Sequence, residues 1–372
     1  MSLVVLVIVS VCTFFAYIKL NSLFLSGFYG PSIRLFVIGD YGEFHPKWKF
    51  PVLPVKRNAD AMNELAGIND YSMILTLGDN FYSQEIMDFF KTIHRVFNDA
   101  FVGEHIKNLP WYLSYGNHDY YYSKNYGELL SELYSNVNMP SGPWNLTLQM
   151  EGFKIDFIFL PCDIVCHGNN TNHNSARQCH FMHSGTNHTE TYFWLETHLQ
   201  DVNDDEEPVW KIVIIHYPLF SVSVTGMDSE NLKTNLLPIL RHHKVDMVLS
   251  GHNHNMQYFY SDHVKHAEYK EQQLNEKCLA ETDIVCEGVK IHCYFKNVSC
   301  YDDSHSCMNK ISVEESNESL NFTTSYTFAK GDGLHQVVQG SGGADLNPIC
   351  PGMYSRMAEN LFAMSTHGFS DL

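Results

Sequence analysis

Hydrophobic and polar positions alternate along the chain in two different rhythms from Ile33 onward. Short apolar runs rich in β-branched and aromatic residues predict six buried strands, Ile33–Ile38, Ser72–Leu77, Trp111–Tyr115, Phe153–Leu160, Lys211–Ile215 and Val245–Leu249. Between them, apolar residues recur every three or four positions, which predicts helices at Val55–Ala66, Ile86–Phe97 and Asn231–His242. This alternation predicts an α/β fold with a parallel or mixed sheet.

The N-terminal segment has a different pattern. Leu3 to Ile18 form an apolar run, and Lys19 separates this run from a second apolar patch, Leu20–Phe28. The run is short for a transmembrane helix and suits the core of a signal peptide. We predict that residues 1–28 are a cleaved signal peptide or an uncleaved anchor that attaches the protein to a membrane through residues 3–18; a buried helix is the third alternative.

Sequons and cysteines also favour export. Sequons of the type N-x-S/T occur at Asn145, Asn169, Asn187, Asn297, Asn317 and Asn321, and they predict glycosylated surface loops. Nine cysteines follow the leader, with no C-x-x-C pair among them, so we predict disulfides with one sulfur left over. The expected location is secreted, or the lumen of an endomembrane compartment such as a lysosome or vacuole, with membrane anchoring if the leader stays.

The domain organisation is predicted from a polar stretch near the C-terminus. Tyr260 to Tyr326 contains five cysteines and three sequons and has no clear period. We predict a Cys-rich, glycosylated insertion at about 260–326 within one domain that spans residues 29–372. A separate small domain is the alternative.

Composition and charge narrow the class of partner. With 44% hydrophobic residues the chain is not a disordered one. The 24 Lys and Arg residues against 42 Asp and Glu residues give a net charge of −18, which argues against nucleic acid as a partner. Small phosphorylated ligands stay compatible with this charge, because a bound metal ion reverses the local field.

Five short blocks with metal-binding side chains each follow a predicted strand. They are Gly39-Asp40-Tyr41-Gly42, Gly78-Asp79-Asn80-Phe81-Tyr82, Gly116-Asn117-His118-Asp119, Ile215-His216-Tyr217-Pro218 and Gly251-His252-Asn253-His254. One such block alone more often has a structural role. Because loops at the carboxyl ends of strands converge on one crevice, all five together predict a two-metal site with oxygen and nitrogen ligands.

With these blocks the sequence resembles the metallophosphoesterase superfamily, from about Arg34 to Gln257, and within it the purple acid phosphatases of the tartrate-resistant type. Tyr82 is the discriminating residue, since the serine/threonine phosphatases of the superfamily continue this block with Asp-Arg-Gly. The resemblance implies an α/β fold of two mixed β-sheets packed as a sandwich and flanked by helices (αββα).

The resemblance also implies a role for each residue of the site. Fe(III) would be held by Asp40, Asp79, Tyr82 and His254, with Asp79 bridging to a divalent Fe, Zn or Mn ion. That divalent ion would be completed by Asn117, His216 and His252. The implied activity is hydrolysis of phosphate monoesters at acidic pH, with a metal-activated hydroxide attacking phosphorus and His118 assisting the leaving group. The implied partner is a small phosphorylated substrate; the sequence leaves the oligomeric state open.

Two departures from the family pattern and two alternative functions remain. The loop Ser221–Gly226 has no histidine where mammalian members carry one, and Thr225 is near that place. The final segment His367–Leu372 resembles one that leads into a closing hairpin in the family, so we expect this hairpin to be missing.

The alternative functions are a phosphodiesterase, nucleotidase or phosphoprotein phosphatase and, less favoured because all proposed ligands are present, a membrane-anchored scaffold without catalysis.

Overall fold

The computed structural model describes residues 22–25, 32–42, 54–82, 86–121, 126–166, 188–223, 229–261, 282–286, 289–294, 299–302, 330–331, 333–347, 359–364 and 367–372. The predicted leader run 3–18 and five of the six sequons lie outside these ranges. Among the predicted disulfide cysteines, the structure describes the side chain of Cys162 alone, which is buried.

The described residues form sixteen strands and six α-helices. The strands are β1 (Ser22–Leu25), β2 (Leu35–Ile38), β3 (Met73–Thr76), β4 (Trp111–Leu113), β5 (Val137–Asn138), β6 (Trp144–Gln149), β7 (Lys154–Phe159), β8 (Val209–Ile214), β9 (Met247–Ser250), β10 (Met256–Ser261), β11 (Thr282–Cys286), β12 (Val289–Tyr294), β13 (Ser299–Asp302), β14 (Leu334–Gln339), β15 (Glu359–Met364) and β16 (Ser370–Asp371). The helices are α1 (Pro54–Ala66), α2 (Ile86–His94), α3 (Tyr126–Leu133), α4 (His188–Asn203), α5 (Glu230–Asn235) and α6 (Leu237–His242).

Two mixed sheets carry the fold. The first has the order β16-β2-β3-β4-β5, in which β2 to β5 run parallel and β16 pairs antiparallel with β2. The second has the order β1-β6-β7-β8-β9-β14-β10-β15, and its central strands β7, β8, β9 and β14 run parallel. The predicted architecture of two mixed sheets with flanking helices is confirmed.

Both faces of the first sheet are buried, and alternation along its strands decides which core each side chain joins. In β2, Leu35 and Val37 pack between the two sheets, together with Phe157 of β7. Phe36 and Ile38 point the other way and pack against α1 through Met62. Because successive side chains of a strand face opposite sides, a strand buried on both faces is a continuous apolar run. This explains why the strands were recognisable from the sequence.

The predicted helices differ from the observed ones at two places. The stretch predicted as Asn231–His242 is two short helices that meet at Leu236, one residue before α6 begins. Pro238 explains the interruption, since proline lacks a backbone N–H and its ring clashes with the preceding helical turn. The stretch predicted as Ile86–Phe97 is α-helical only to His94 and continues as a π-helix, Arg95–Ala100.

The sequon at Asn145 lies in a strand and not in a surface loop, which corrects the prediction for this position. Asn145 is in β6 and only 4% exposed. Its amide nitrogen donates to Thr147 Oγ1 over 3.0 Å and to Asp156 Oδ1 over 2.9 Å. The folded protein therefore does not present this amide as a glycosylation acceptor.

The predicted insertion contains an antiparallel sheet of its own, formed by β11, β12 and β13. Near the C-terminus, β16 lies against β2, and Leu35 and Leu372 exchange backbone hydrogen bonds of 2.8 and 3.0 Å. Within the described ranges, no helix combines the length and apolar character needed to span a bilayer.

Candidate metal centre

The five sequence blocks meet at one end of the sandwich, and they come from both sheets. Asp40, Asp79 and Asn117 follow β2, β3 and β4 of the first sheet, whereas His216 and His252 follow β8 and β9 of the second. A hydrogen bond joins the two sheets here, since the backbone N–H of His252 donates to the side-chain Oδ2 of Asp40 over 2.8 Å. The carboxyl ends of parallel strands from two sheets thus form a single crevice.

One half of the site contains Asp40, Tyr82 and His254. The phenol oxygen of Tyr82 lies 3.0 Å from Asp40 Oδ1 and 3.1 Å from His254 Nε2. His254 Nε2 is also 3.4 Å from Asp40 Oδ1. Nδ1 of His254 lies 2.7 Å from the backbone oxygen of Asp345, a contact that requires the proton on Nδ1 and makes Nε2 the atom that faces the other two side chains.

The other half contains Asn117, His216 and His252. Asn117 Oδ1 lies 3.1 Å from His216 Nε2 and 3.0 Å from His252 Nδ1. Nδ1 of His216 donates to the backbone oxygen of Leu77 over 2.7 Å, so Nε2 is the ring atom that faces Asn117 and Asp79.

Asp79 lies beside the second half. Its Oδ2 is 3.4 Å from His216 Nε2, and Asp79, His216 and His252 each offer one ligand atom within 4.8 Å of the others. Its Oδ1 accepts the backbone N–H of His118 over 2.7 Å. These contacts place Asp79 with His216 and His252, and its bridging role toward Asp40 stays a prediction.

His118 stands at the mouth of the site. Its side chain is 36% exposed, in contrast to the buried side chain of Asp79, and its Nε2 lies 4.0 Å from Asp79 Oδ2. Its ring packs on that of Tyr82 with 4.3 Å between centroids. His118 is thus held next to the proposed ligands while its ring stays accessible from solvent.

Three of these residues adopt a left-handed backbone conformation that is unusual for a side chain other than glycine. The φ angles are 55° at Asp40, 50° at Asp79 and 66° at His252. Such conformations cost about 1–2 kcal/mol each and persist only where the surroundings enforce them, commonly at functional sites. The backbone conformations at these three residues therefore lower the stability of the fold while directing their side chains into the crevice.

Close packing around the ligands explains two of the glycines in the blocks. A Cβ atom at Gly116 would lie 2.1 Å from the backbone nitrogen of Asp79 and 2.2 Å from its Oδ1. A Cβ atom at Gly251 would lie 2.6 Å from Asp40 Oδ2. The blocks need glycine here because the carboxylates approach the neighbouring backbone too closely for any side chain.

The electrostatics of the site favour cations. Burial alone would raise the pKa of Asp79, but His216 and His118 hold it well below its usual value. Burial would lower the pKa of His216 and of His254, but Asp79 in the first case and Asp40 in the second raise each to about 9. Burial, together with His216, lowers the pKa of His252 well below its usual value. Asp79 is therefore ionised, and it draws positive charge to its side of the crevice.

Two features of the site were missed in the sequence analysis. Asp119, the last residue of its block, is fully buried behind the ligands and accepts hydrogen bonds from Gly116 and Asn80. Burial, followed by the charge of Asp79, raises the pKa of Asp119 to about 7. The residue was visible in the motif, but nothing in the sequence distinguished it from a surface aspartate.

The second missed feature is the loop after β14, residues 340–347. The backbone oxygen of Asp345 and the side chain of Asn347 hold His254, whose N–H donates to Asn347 Oδ1 over 2.9 Å. A Cβ atom at Gly340 would lie 2.2 Å from the backbone oxygen of Asn253. The run Gly340-Ser341-Gly342-Gly343 directly after a strand was the available signal.

The donor set fits a pair of metal ions. Carboxylate, phenol and amide oxygens together with imidazole nitrogens suit iron, zinc and manganese. Hydrogen bonds to the backbone oxygens of Leu77 and Asp345 orient the imidazoles of His216 and His254, as in established metal sites.

Comparison with known proteins agrees with this chemistry. Residues 33–256 match the family model described as "Calcineurin-like phosphoesterase". The chain is 28% identical to "Tartrate-resistant acid phosphatase type 5" of Oryctolagus cuniculus over 231 residues, 61% of this chain and 69% of that protein. It is 25% identical to "Purple acid phosphatase 4" of Arabidopsis thaliana, over 61% of this chain and 63% of that protein. The alignment thus spans about two thirds of the length of these relatives.

Among solved structures, the chain is similar to "GAP50 the anchor in the inner membrane complex of Plasmodium". The TM-score is 0.54 at 16% sequence identity, with 91% of this chain and 80% of that chain covered. At this level of identity the likeness shows a common fold and nothing more.

Proposed function

We propose that this chain, which belongs to the calcineurin-like phosphoesterase family, is a metal-dependent acid phosphatase that hydrolyses phosphate monoesters. The matched residues, 33–256, make up more than half of the chain. The observation that carries the narrower proposal is the contact of Tyr82 with Asp40 and His254. The tyrosine at the end of the Gly78–Tyr82 block is the feature by which the sequence resembles the purple acid phosphatases, and in that family it would be a metal ligand.

The residues would hold two ions as the resemblance implies. Asp40, Tyr82 and His254 would hold Fe(III), and Asn117, His216 and His252 would hold a divalent Fe, Zn or Mn ion, with Asp79 shared between the two. When bound, such a pair supplies the positive charge that neutralises a phosphate group and lowers the pKa of water.

The protein's own contribution to the chemistry is orientation and proton transfer. Hydrogen bonds to the backbone oxygens of Leu77 and Asp345 fix the rings of His216 and His254, so these two side chains need little reorganisation when a substrate binds. His118 is exposed enough to meet a substrate oxygen. Its Nε2 would carry the proton that the departing alcohol takes up, a role that typically contributes 10²–10⁴-fold to a rate.

Metal analysis combined with turnover of p-nitrophenyl phosphate across pH tests the proposal. We expect two metals per chain, one of them iron, and a rate that is highest at acidic pH. The double variant Asp79→Asn/His252→Ala should lose both metals and activity, whereas Asp156→Asn, a buried aspartate in β7 away from the site, should keep them. Activity that survives the double variant, or a flat or alkaline pH profile, would contradict the proposal.

The two alternatives predict different results in the same assays. A phosphodiesterase, nucleotidase or phosphoprotein phosphatase would turn over bis-p-nitrophenyl phosphate, a nucleotide or a phosphopeptide faster than the monoester. A scaffold without catalysis would show no turnover when loaded with metal. The scaffold is less well supported, because the chain keeps all seven proposed ligands as well as His118.

A further inference from the structure

Asp119 occupies the centre of a hydrogen-bond network between two loops of the site. Its side chain is completely buried. The carboxylate accepts the backbone N–H of Gly116 over 2.7 Å and the backbone N–H groups of Asn80 and Phe81 over 3.1 and 3.3 Å. The side-chain nitrogen of Asn80 adds a fourth donor at 2.9 Å.

Each of these donors is adjacent in sequence to a proposed metal ligand. Asn80 directly follows Asp79, Phe81 directly precedes Tyr82, and Gly116 directly precedes Asn117. One carboxylate thus binds both loops at the positions from which three ligands project. The loops are also joined by the bond from the His118 N–H to Asp79 Oδ1.

The backbone conformation of Asp79 explains why a hydrogen-bond acceptor is needed at this place. With φ of 50°, Asp79 turns the N–H groups of Asn80 and Phe81 toward the same side, where both donate to Asp119. Successive N–H groups next to a left-handed residue form a concave anion-binding nest. Without an acceptor in this nest, two buried N–H groups would lose their partner and the conformation of Asp79 would lose its support.

We propose that Asp119 is a positioning residue that locks the Asp79–Tyr82 loop and the Gly116–His118 loop into the geometry that binds metal. The proposal rests on the proposed function, since it assumes that Asp79, Tyr82 and Asn117 are ligands. It assigns Asp119 no contact with metal or substrate; Asp119 acts through its hydrogen bonds to the two loops.

The nature of the four donors sets the choice of test variants. A carboxylate offers only acceptors, whereas an asparagine amide would turn an NH₂ group toward N–H donors. Asp119→Asn removes charge and acceptors at nearly unchanged size, and Asp119→Glu keeps the acceptors on a longer side chain. The matched control is Asp156→Asn, because Asp156 is 1% exposed and accepts bonds from Asn145, Thr147 and His198, none of which is a proposed ligand.

The experiment measures metal release to a chelator and the visible tyrosinate–Fe(III) absorption band of the metal-loaded full chain, together with thermal unfolding. We expect Asp119→Asn to release metal about 10–100-fold faster, the usual effect of losing a residue that supports ligands, and to shift the band. Asp119→Glu should lie between Asp119→Asn and the wild type. Asp156→Asn should lower the melting temperature but keep wild-type metal release and band.

Unchanged metal release and an unchanged band in Asp119→Asn would overturn the proposal. The proposal would also be overturned if Asp156→Asn changed metal release and the band as much as Asp119→Asn does, because this would show a general effect of lost stability. If Asp119→Asn does not fold, the metal release and the visible band of Asp119→Glu are compared with those of the wild type instead. A wild-type protein that binds no metal pair would contradict the proposed function itself, and it is recognised before any variant is compared.

Discussion

The phenol oxygen of Tyr82 lies 3.0 Å from Oδ1 of Asp40, although the two residues are 42 positions apart. The same oxygen lies 3.1 Å from Nε2 of His254, which arrives from the other sheet. Tyr82 therefore connects the two sheets at the point where we propose that Fe(III) binds. This contact gives the most specific test of the site.

Replacing Tyr82 with phenylalanine should abolish the visible band of the metal-loaded protein, because phenylalanine has no oxygen to donate charge to iron. Iron content should fall as well, since Asp40 and His254 lose a shared partner. Absorption spectra and metal analysis measure both effects. Tyr217→Phe is the matched control, since the Tyr217 ring packs 4.1 Å from that of His252 but is not a proposed ligand. A band that persists in Tyr82→Phe would contradict the assignment.

His118→Gln should lower kcat for p-nitrophenyl phosphate by about 10²–10⁴-fold while metal content stays at two per chain. The reason is that glutamine cannot carry the transferred proton, and His118 is not a proposed ligand. Steady-state kinetics with metal analysis separate these effects. His198→Gln, which removes another histidine paired with an aspartate at 2.6 Å, should leave kcat unchanged. Loss of metal from His118→Gln would show instead that this residue supports the metal centre.

Gly116→Ala should destabilise the protein by about 1–3 kcal/mol, the usual cost of overpacking, and reduce its metal content. The added methyl would lie 2.2 Å from Asp79 Oδ1, so the carboxylate must move. Gly142→Ala is the comparison, because nothing lies within 4 Å of its Cβ position and only its φ of 76° penalises alanine, by about 1–2 kcal/mol. Denaturant unfolding and metal analysis should show similar losses of stability but loss of metal only in Gly116→Ala.

The stability of metal-stripped protein should fall as pH rises from about 6.5 toward 9. The pKa of His216 and of His254 is raised to about 9 in the folded chain, so each contributes stability that is fully present below the unfolded value of 6.5. That contribution is lost as pH rises through 9. Melting temperatures across this range measure it.

The metal-loaded protein is the control for this pH dependence. Ligand histidines bind metal without their protons, so the loaded protein has no such protons to lose over this range. Its melting temperature should therefore change less between about pH 6.5 and 9 than that of the stripped protein. Parallel curves for the two forms would contradict the assignment of His216 and His254 as ligands.

The sequence by itself determined the strands, the order of the five blocks and the residue types that could bind metal. Strands such as Leu35–Ile38 are buried on both faces and are therefore continuous apolar runs, which can be recognised in the sequence without knowing which strands lie beside them. Helices were less certain, since Pro238 divides a stretch whose apolar period continues on both sides. Asn145 matched a sequon, but the pattern did not reveal that its amide is buried.

Only the tertiary structure decided which side chains meet. Asp119 binds the loop of Asn80 from 39 positions away, and Asp345 binds His254 from 91 positions away. The sequence contains no local trace of such contacts, because hydrogen bonds between distant loops depend on how two sheets pack. The left-handed conformations at Asp40, Asp79 and His252 also depend on the tertiary structure, since long-range contacts such as those to Asp119 enforce them against local preference. The sequence thus supplied the proposed ligands, and the packing of the two sheets brought their side chains into one crevice.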